Sequence, residues 1–515
     1  MGRGVARVSD LQQIGAGAGY DFGSLNKTLM QTAGPKILKP AGPISQAYLL
    51  STSPISLITG PGGSAKTTTS ILKGLLEAQR IHPGADGVRR HVLGVWRQKY
   101  DNLWSATIPS WHKILPEDLP GSKWHGSKPR SADHVIKFDD AWGRVELTAR
   151  FRAFGESMDP EDILGNEMTD AWLNEMSTLP EELFIALIDR VGRDPPRSVI
   201  KRSGRIWGDS NAPDVMNYCY RDFYEELKPG YQLFRQPGGR EPGAENIEIM
   251  GREYWENSAR LNAHRKWWVK RMVDARPGFT RDVDIVYEKF DDDTMVSPRE
   301  VRLEAFKQIP ILVGIDGGFT PSAVYCQEMG NGQLRILAEV VLERGSMAEL
   351  SRAMLALEAQ RFPDCEFNDT CDPAMLAGED LEQGSDRMRL AKLLGRPVTP
   401  APANDLATRL AWVKTKLELA LGPGIPGVIL DFSCKCLRRG FNQTFHYRRT
   451  HGSNDLSSIE KTPDSHPHDA LQYACSKTGT AAARQRSSEL ERARQARRKE
   501  AREAPRYNPL ARAQR

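Results

Sequence analysis

At 515 residues the chain is too long for one hydrophobic core, so two or three domains are expected. No run of 18 or more apolar residues occurs and no signal peptide is read, which excludes a membrane-spanning helix and leads to the expectation of a soluble, non-secreted protein. The net charge of +5 is uneven: residues 480–515 hold ten Arg, one Lys and four Glu, a net +7 that leaves −2 on the rest, so any polyanion contact by the body must be local and the tail is the strongly basic part.

Residues 1–45 are rich in Gly, Ala and Pro with weak periodicity and read as an arm. From 46 to about 250, strand-like and helix-like segments alternate, which predicts an α/β domain with a mostly parallel sheet. Within it Ile55, Leu57 and Ile58, bounded by Pro54 and Gly60, read as a buried strand. Then come Gly60, Pro61, Gly62, Gly63, Ser64, Ala65, Lys66 and Thr67, and a helix-compatible stretch from Lys66 to Arg80 with apolar Ile71, Leu72, Leu75, Leu76 and Ala78. This comes close to the pattern G-x-x-x-x-G-K-[ST], in its proper strand–turn–helix context, with Ala65 in place of the second glycine. The pattern is chemistry for a triphosphate. Glycines let main-chain N–H groups approach an anion, the helix N-terminus adds partial positive charge, Lys66 reaches the β and γ phosphates, and the Thr67 hydroxyl holds Mg²⁺. Ala65 is expected to cost little if its backbone stays in an allowed region.

A triphosphatase also needs a carboxylate at the tip of a neighbouring strand. The segment Asp170-Ala-Trp-Leu-Asn-Glu175 offers Ala171 to Leu173 as the strand, with Asn174 and Glu175 at its tip. Glu175 is the candidate catalytic carboxylate, and Asn174 stands where a metal-associated Asp is usual. Asp170 is a fallback ligand, and a helix running from Met176 to Ile188 is the competing reading. In Arg205-Ile-Trp-Gly-Asp-Ser-Asn-Ala-Pro213, a strand ends in Asp209, Ser210 and Asn211, which suits sensing of a γ-phosphate, although taken alone it reads first as an ordinary strand-to-turn junction. Residues 251–305, with the aromatic stretch Arg252 to Val273 and a turn at Pro277-Gly278, read as a lid or linker.

A second α/β unit is predicted over 306–478. Val313-Gly-Ile-Asp316-Gly-Gly delivers one Asp from an apolar strand, Asp372-Pro closes another, and His466-Pro-His-Asp469-Ala starts a helix. Asp316, Asp372 and Asp469 can converge on a pair of Mg²⁺ or Mn²⁺ ions flanking a scissile phosphate. Asp369 and Asp431 compete as strand-end carboxylates. The seven cysteines are odd in number, and Cys434-x-Cys436 has no second pair at metal spacing, so buried free thiols are expected.

Taken together and in this order, the phosphate loop near residue 60, the acidic tip near 175, the Ser-Asn-x-Pro-like turn near 210 and the Asp triad after 310 resemble the large terminase subunit of tailed bacteriophages. The resemblance spans roughly 45–476. It implies an ATP-hydrolysing domain on Gly60 to Thr67 with Glu175 as catalytic carboxylate, Asp209, Ser210 and Asn211 as coupling motif, and Gln46 as an adenine contact. It also implies an RNase H-like nuclease domain with metal ligands Asp316, Asp372 and Asp469. The implied partners are double-stranded DNA, a portal protein, a small terminase subunit and further copies of the chain in a ring. The implied place is the host cytoplasm, transiently at the procapsid portal vertex. Arg97 falls where the family often has an Arg. The loop itself carries none, so an arginine finger must come from elsewhere, with Arg150 and Arg152 as candidates. The basic tail, 479–515, is a candidate for portal docking or DNA contact. A helicase-type translocase with an appended nuclease, and a docking scaffold with weakened ATPase, are the competing functions.

Overall fold

The computed structural model describes residues 40–154, 163–281, 283–318, 320–376, 385–450 and 453–479. Most of the expected arm and nearly all of the basic tail lie outside the described residues. The chain divides after Thr280 into two compact units.

The first unit is built on one eight-stranded sheet. Its strands are β1 (Ile55–Thr59), β2 (Arg89–Arg97), β3 (Ser122–Gly126), β4 (Ala132–Asp140), β5 (Gly143–Ala153), β6 (Asp170–Asn174), β7 (Ile206–Ser210) and β8 (Tyr231–Arg235). They lie in the order β3-β4-β5-β2-β6-β7-β1-β8. From β5 to β8 every neighbouring pair is parallel, while β3, β4 and β5 form an antiparallel extension. Every residue of β1, β6 and β7 is buried, as expected of central parallel strands covered on both faces. Alternation splits their side chains between two cores. Ile58, Trp172 and Trp207 pack with Ile71, Leu72 and Leu75 on one face, while Leu57, Leu173 and Ile206 pack with Leu183 and Phe184 on the other. The helix after the loop spans Lys66–Arg80, and its Lys73 is fully enclosed. That ammonium donates to Tyr48 O at 2.9 Å and Ser51 O at 2.5 Å, capping the helix Pro43–Leu50, and burial pushes its pKa down to about 7.

The second unit holds a mixed six-stranded sheet of β9 (Ile311–Asp316), β10 (Ser322–Glu328), β11 (Leu334–Val341), β12 (Phe367–Cys371), β13 (Val398–Pro400) and, after a small hairpin of β14 (Ala420–Gly422) and β15 (Ile425–Pro426), β16 (Val428–Leu430). The order is β13-β12-β9-β10-β11-β16, an antiparallel meander β9-β10-β11 flanked by parallel pairs. This mixed sheet with flanking helices is the second α/β unit expected from the sequence. A separate hairpin joins β17 (Tyr447–Thr450) and β18 (Ser453–Ile459). The helix Ser465–Cys475 lies across β9 so closely that a Cβ on Gly314 would fall 1.8 Å from Ala470 O. Only glycine lets this helix approach the strand that carries Asp316.

Candidate functional site

The order β6-β7-β1 sets three parallel strands side by side with their C-terminal ends at one rim. The register pairs Asn174 with Asp209, and Thr59 with Ser210, so the loop, the acidic tip and the Asp-Ser-Asn turn meet there. Lys66 is buried, and its ammonium donates to Gly60 O at 3.0 Å, Pro61 O at 2.7 Å, Ser64 Oγ at 3.3 Å and Asn211 Oδ1 at 3.2 Å. Burial lowers its pKa against the pull of Glu175 and Asp209. Glu175 is held in the left-handed region at φ 55°, ψ 55°, with its N–H donating to Asp209 Oδ1 at 3.2 Å. Burial first, and then the Asp209 charge, raise the Glu175 pKa, opposed by Lys66 and Arg97. A carboxylate poised in this way suits proton acceptance at the rim of a phosphate site.

Asn174 is fully engaged. Its Oδ1 accepts from Arg97 Nη1 at 3.0 Å and Thr107 Oγ1 at 2.7 Å, and its Nδ2 donates to Asp209 Oδ1 at 2.8 Å with Thr67 Oγ1 at 3.5 Å. Asp170 lies at the opposite end of β6. It accepts from Arg202 at 2.8 and 2.6 Å and from Arg205 N at 2.8 Å, and it pairs with His91 Nε2 at 2.8 Å. These partners and its position take Asp170 out of the metal reading. The competing helix begins late: Met176–Thr178 is a 3₁₀ turn and the helix is Glu181–Ile188. Ala65 sits at φ 65°, ψ 22°, where an L side chain costs roughly 1–2 kcal/mol, so the expected small cost is revised upward. Gln46 is exposed on the helix Pro43–Leu50. Arg150 donates to Glu167 O at 2.7 Å and pairs with Asp194, while Arg152 pairs with Asp133, all within the first unit. Ser210 Oγ lies 2.5 Å from Ser177 Oγ, linking the turn to the residues after Glu175.

The loop also has partners that no motif announces. Gln236 donates to Ser64 O at 3.0 Å and to Glu245 Oε2 at 2.9 Å, and Glu245 in turn caps Ile44 N at 2.6 Å at the start of the helix bearing Gln46. Asn246 Nδ2 donates to Gly63 O at 2.7 Å, Trp255 Nε1 to Gly62 O at 2.8 Å, and Gly62 N to Met272 O at 2.8 Å. The stretch expected to be a lid or linker thus fastens the loop backbone from outside.

In the second unit β9 and β12 are parallel neighbours with Ile315 opposite Cys371, so Asp316 and Asp372 leave adjacent strand ends. Asp316 Oδ2 lies 2.7 Å from His466 Nδ1. Asp469 Oδ1 is 3.4 Å from Arg409 and its Oδ2 is 3.2 Å from Lys461. Burial raises the Asp469 pKa, the two cations oppose that, and Asp316 adds to it. Burial raises the Tyr473 pKa most, and the charges of Asp372, Asp469 and Asp316 add to it against Arg409. Among the described residues no three His, Cys, Asp or Glu come close enough to share a metal ion, so as placed the triad does not form an ion-holding set. Beside Asp469 opens a cleft of about 310 Å³ whose charged lining also includes Arg409, Arg448 and Lys461. The rival carboxylates are structural. Asp369 is buried against Arg396 at 2.6 Å, and Asp431 accepts from Leu303 N at 2.8 Å and Ser433 N at 2.9 Å. Cys434 is buried, Cys436 half-buried, and all seven cysteines are free.

No protein-family model and no curated protein matches the sequence. Among solved structures, the large terminase from a thermophilic bacteriophage is 14% identical, covers 84% of this chain and 98% of its own, and has a TM-score of 0.38. Another structure of that protein was solved in complex with ADP. The HK97 bacteriophage large terminase is 10% identical over 88% of this chain and 99% of its own, with a TM-score of 0.35. The Phi-28 gp11 DNA packaging motor is 13% identical over 73% of this chain and 97% of its own, with a TM-score of 0.27.

Proposed function

We propose that this chain is the motor subunit of a viral DNA-packaging machine, hydrolysing ATP in its first unit to drive double-stranded DNA into a procapsid and cutting concatemeric DNA with its second. What carries the reading is that Lys66 and Thr67, at the start of the helix after the loop, face Glu175 and Asp209 at the C-terminal ends of β6 and β7. Lys66 and the loop amides would bind the phosphates, and Thr67 would hold Mg²⁺, whose charge steadies them when bound. Glu175, its proton affinity raised by burial, would orient and deprotonate the attacking water. The turn Asp209-Ser210-Asn211 would report the γ-phosphate through Asn211 on Lys66 and Ser210 on Ser177. Asp316, Asp372 and Asp469 would be the acidic set of an endonuclease that works with Mg²⁺ or Mn²⁺. Partners would be DNA held through its phosphates, a portal protein, a small terminase subunit and other copies in a ring, in the host cytoplasm at the portal vertex. No described helix is long and apolar enough to cross a membrane.

Lys66→Ala should abolish ATP hydrolysis and spare cleavage of plasmid DNA by Mg²⁺ or Mn²⁺, and Asp316→Ala should do the reverse. Wild-type turnover by Lys66→Ala would refute the loop reading. Undiminished cleavage by Asp316→Ala, Asp372→Ala and Asp469→Ala alike would refute the nuclease reading. The docking-scaffold reading rests on Ala65 and Asn174 as marks of a weakened ATPase. ATP turnover at background with both portal and DNA present would select that reading for the whole chain. DNA strand separation would select the helicase.

A further inference from the structure

The tip of β6 carries Asn174 where phosphate-loop enzymes hold a metal-associated Asp. The amide cannot offer its oxygen toward Thr67, because Oδ1 already accepts from Arg97 and Thr107. Its nitrogen faces the loop instead, 2.8 Å from Asp209 Oδ1 and 3.5 Å from Thr67 Oγ1, so one NH₂ group lies between a carboxylate and the candidate magnesium-holding hydroxyl. Asp209 is 1% exposed. Its three donors, Trp172 Nε1 at 3.0 Å, Asn174 Nδ2 and Glu175 N, are all neutral. A buried carboxylate bonded only by neutral donors favours a cation nearby, and the Lys66 ammonium already interacts with it.

We infer that Asp209, on the neighbouring strand β7, supplies the negative charge that Asn174 lacks, acting through the Asn174 amide on the Thr67 side of the site. Asp209 is thus a positioning residue for a divalent cation bound with nucleotide, and the Asn174–Asp209 pair is an exchange of the usual charge between adjacent strand tips. The inference rests on the nucleotide reading of Gly60 to Thr67 and goes beyond the coupling role given to Asp209 above.

The test is calorimetric binding of a non-hydrolysable ATP analogue to the full chain, in EDTA and over a Mg²⁺ series, for wild type, Asp209→Asn and the double exchange Asn174→Asp/Asp209→Asn. The exchange keeps the amide–carboxylate contact with its direction reversed, and Arg97 and Thr107 then donate to the new carboxylate, while Glu175 N, which shares Asp209 Oδ1, loses its acceptor. Asp209→Asn should raise the Mg²⁺ concentration for half-maximal tightening roughly 10- to 100-fold, the range seen for outer-shell partners, a larger change than in its EDTA affinity. The double exchange should return it to within about threefold of wild type. A purely architectural role would weaken EDTA binding and Mg²⁺-dependent binding alike. An unchanged Mg²⁺ midpoint in Asp209→Asn, or a double exchange as impaired as the single, overturns the inference. If wild type binds no nucleotide in either condition, the loop reading falls first and takes this one with it, a result distinct from the other two.

Discussion

Gly314 is the residue on which the geometry of the second unit turns. A Cβ there would lie 1.8 Å from Ala470 O and 2.5 Å from Ala474 N, both backbone atoms of the helix Ser465–Cys475. No side chain can swing aside, so Gly314→Ala must lift the helix from β9 by roughly 1.5 Å to restore ordinary contact. Such overpacking costs typically 1–3 kcal/mol, and rigid backbone on the opposing side puts this case at the upper end. Stiffening of the unfolded chain returns only about 0.4–1 kcal/mol. The net is about 2 kcal/mol of destabilisation, or roughly 4–8 °C in the midpoint for a unit of this size. The same lift moves Asp469, next to Ala470, away from Asp316. A displacement of about 1 Å at reacting groups can cost about 100-fold in rate. Calorimetry on the full chain and a plasmid-cleavage assay read the two effects, with ATP turnover as the internal control. A Gly314→Ala protein with an unshifted midpoint and undiminished cleavage would show that the close approach does not set the site.

Two further substitutions probe the first unit. Ala65→Gly relieves a left-handed alanine and should stabilise by about 0.5–1 kcal/mol, measured by denaturant unfolding, since the relief slightly exceeds the entropy cost of glycine. Asp170→Asn should cost about 3 kcal/mol at pH 7 because it leaves Arg202 short of its buried partner, while nucleotide binding persists. The hydrogen bonds from Arg202 and His91, outweighing burial, hold the Asp170 pKa well below the usual range. Its stabilisation is therefore complete above the unfolded carboxylate value near 4 and fades as pH falls below it, so wild type and variant should converge in acid. Loss of nucleotide binding by a folded Asp170→Asn would return this residue to the site.

The parts of the fold that were legible were those with strong local chemistry. Pro54 and Gly60 punctuate the apolar run of β1, and the apolar positions after Lys66 keep helical spacing to Arg80, where the helix does end. Ala171 to Leu173 read correctly as strand despite its length, because a short apolar stretch ending in polar residues fits a buried parallel strand. The 3₁₀ turn and Pro180 then delay the helix that periodicity alone would start at Met176. What local pattern could not separate were strand-end aspartates of equal appearance. Asp369 lies inside β12 and is buried against Arg396, 27 residues on, whereas Asp372 follows the strand's end and is half-buried. Nor could it find Gln236, Glu245 or Trp255, which lie 172 to 201 residues from Ser64, Ile44 and Gly62 and carry no motif. Lys73 likewise carries no motif, yet it is enclosed as the cap of another helix.

The way the loop is fastened also fixes when it can exist. Gly62 receives the Trp255 indole N–H and gives its own N–H to Met272, while Gly63 receives the Asn246 amide. On a ribosome the glycine-rich turn emerges almost two hundred residues before these partners do. Until then Gly62 and Gly63 have only water, and β1 lacks β7 and β8 on its two edges. A nascent chain therefore carries the whole motif without the shape that would make it a phosphate cradle. The shape arrives late and as a unit.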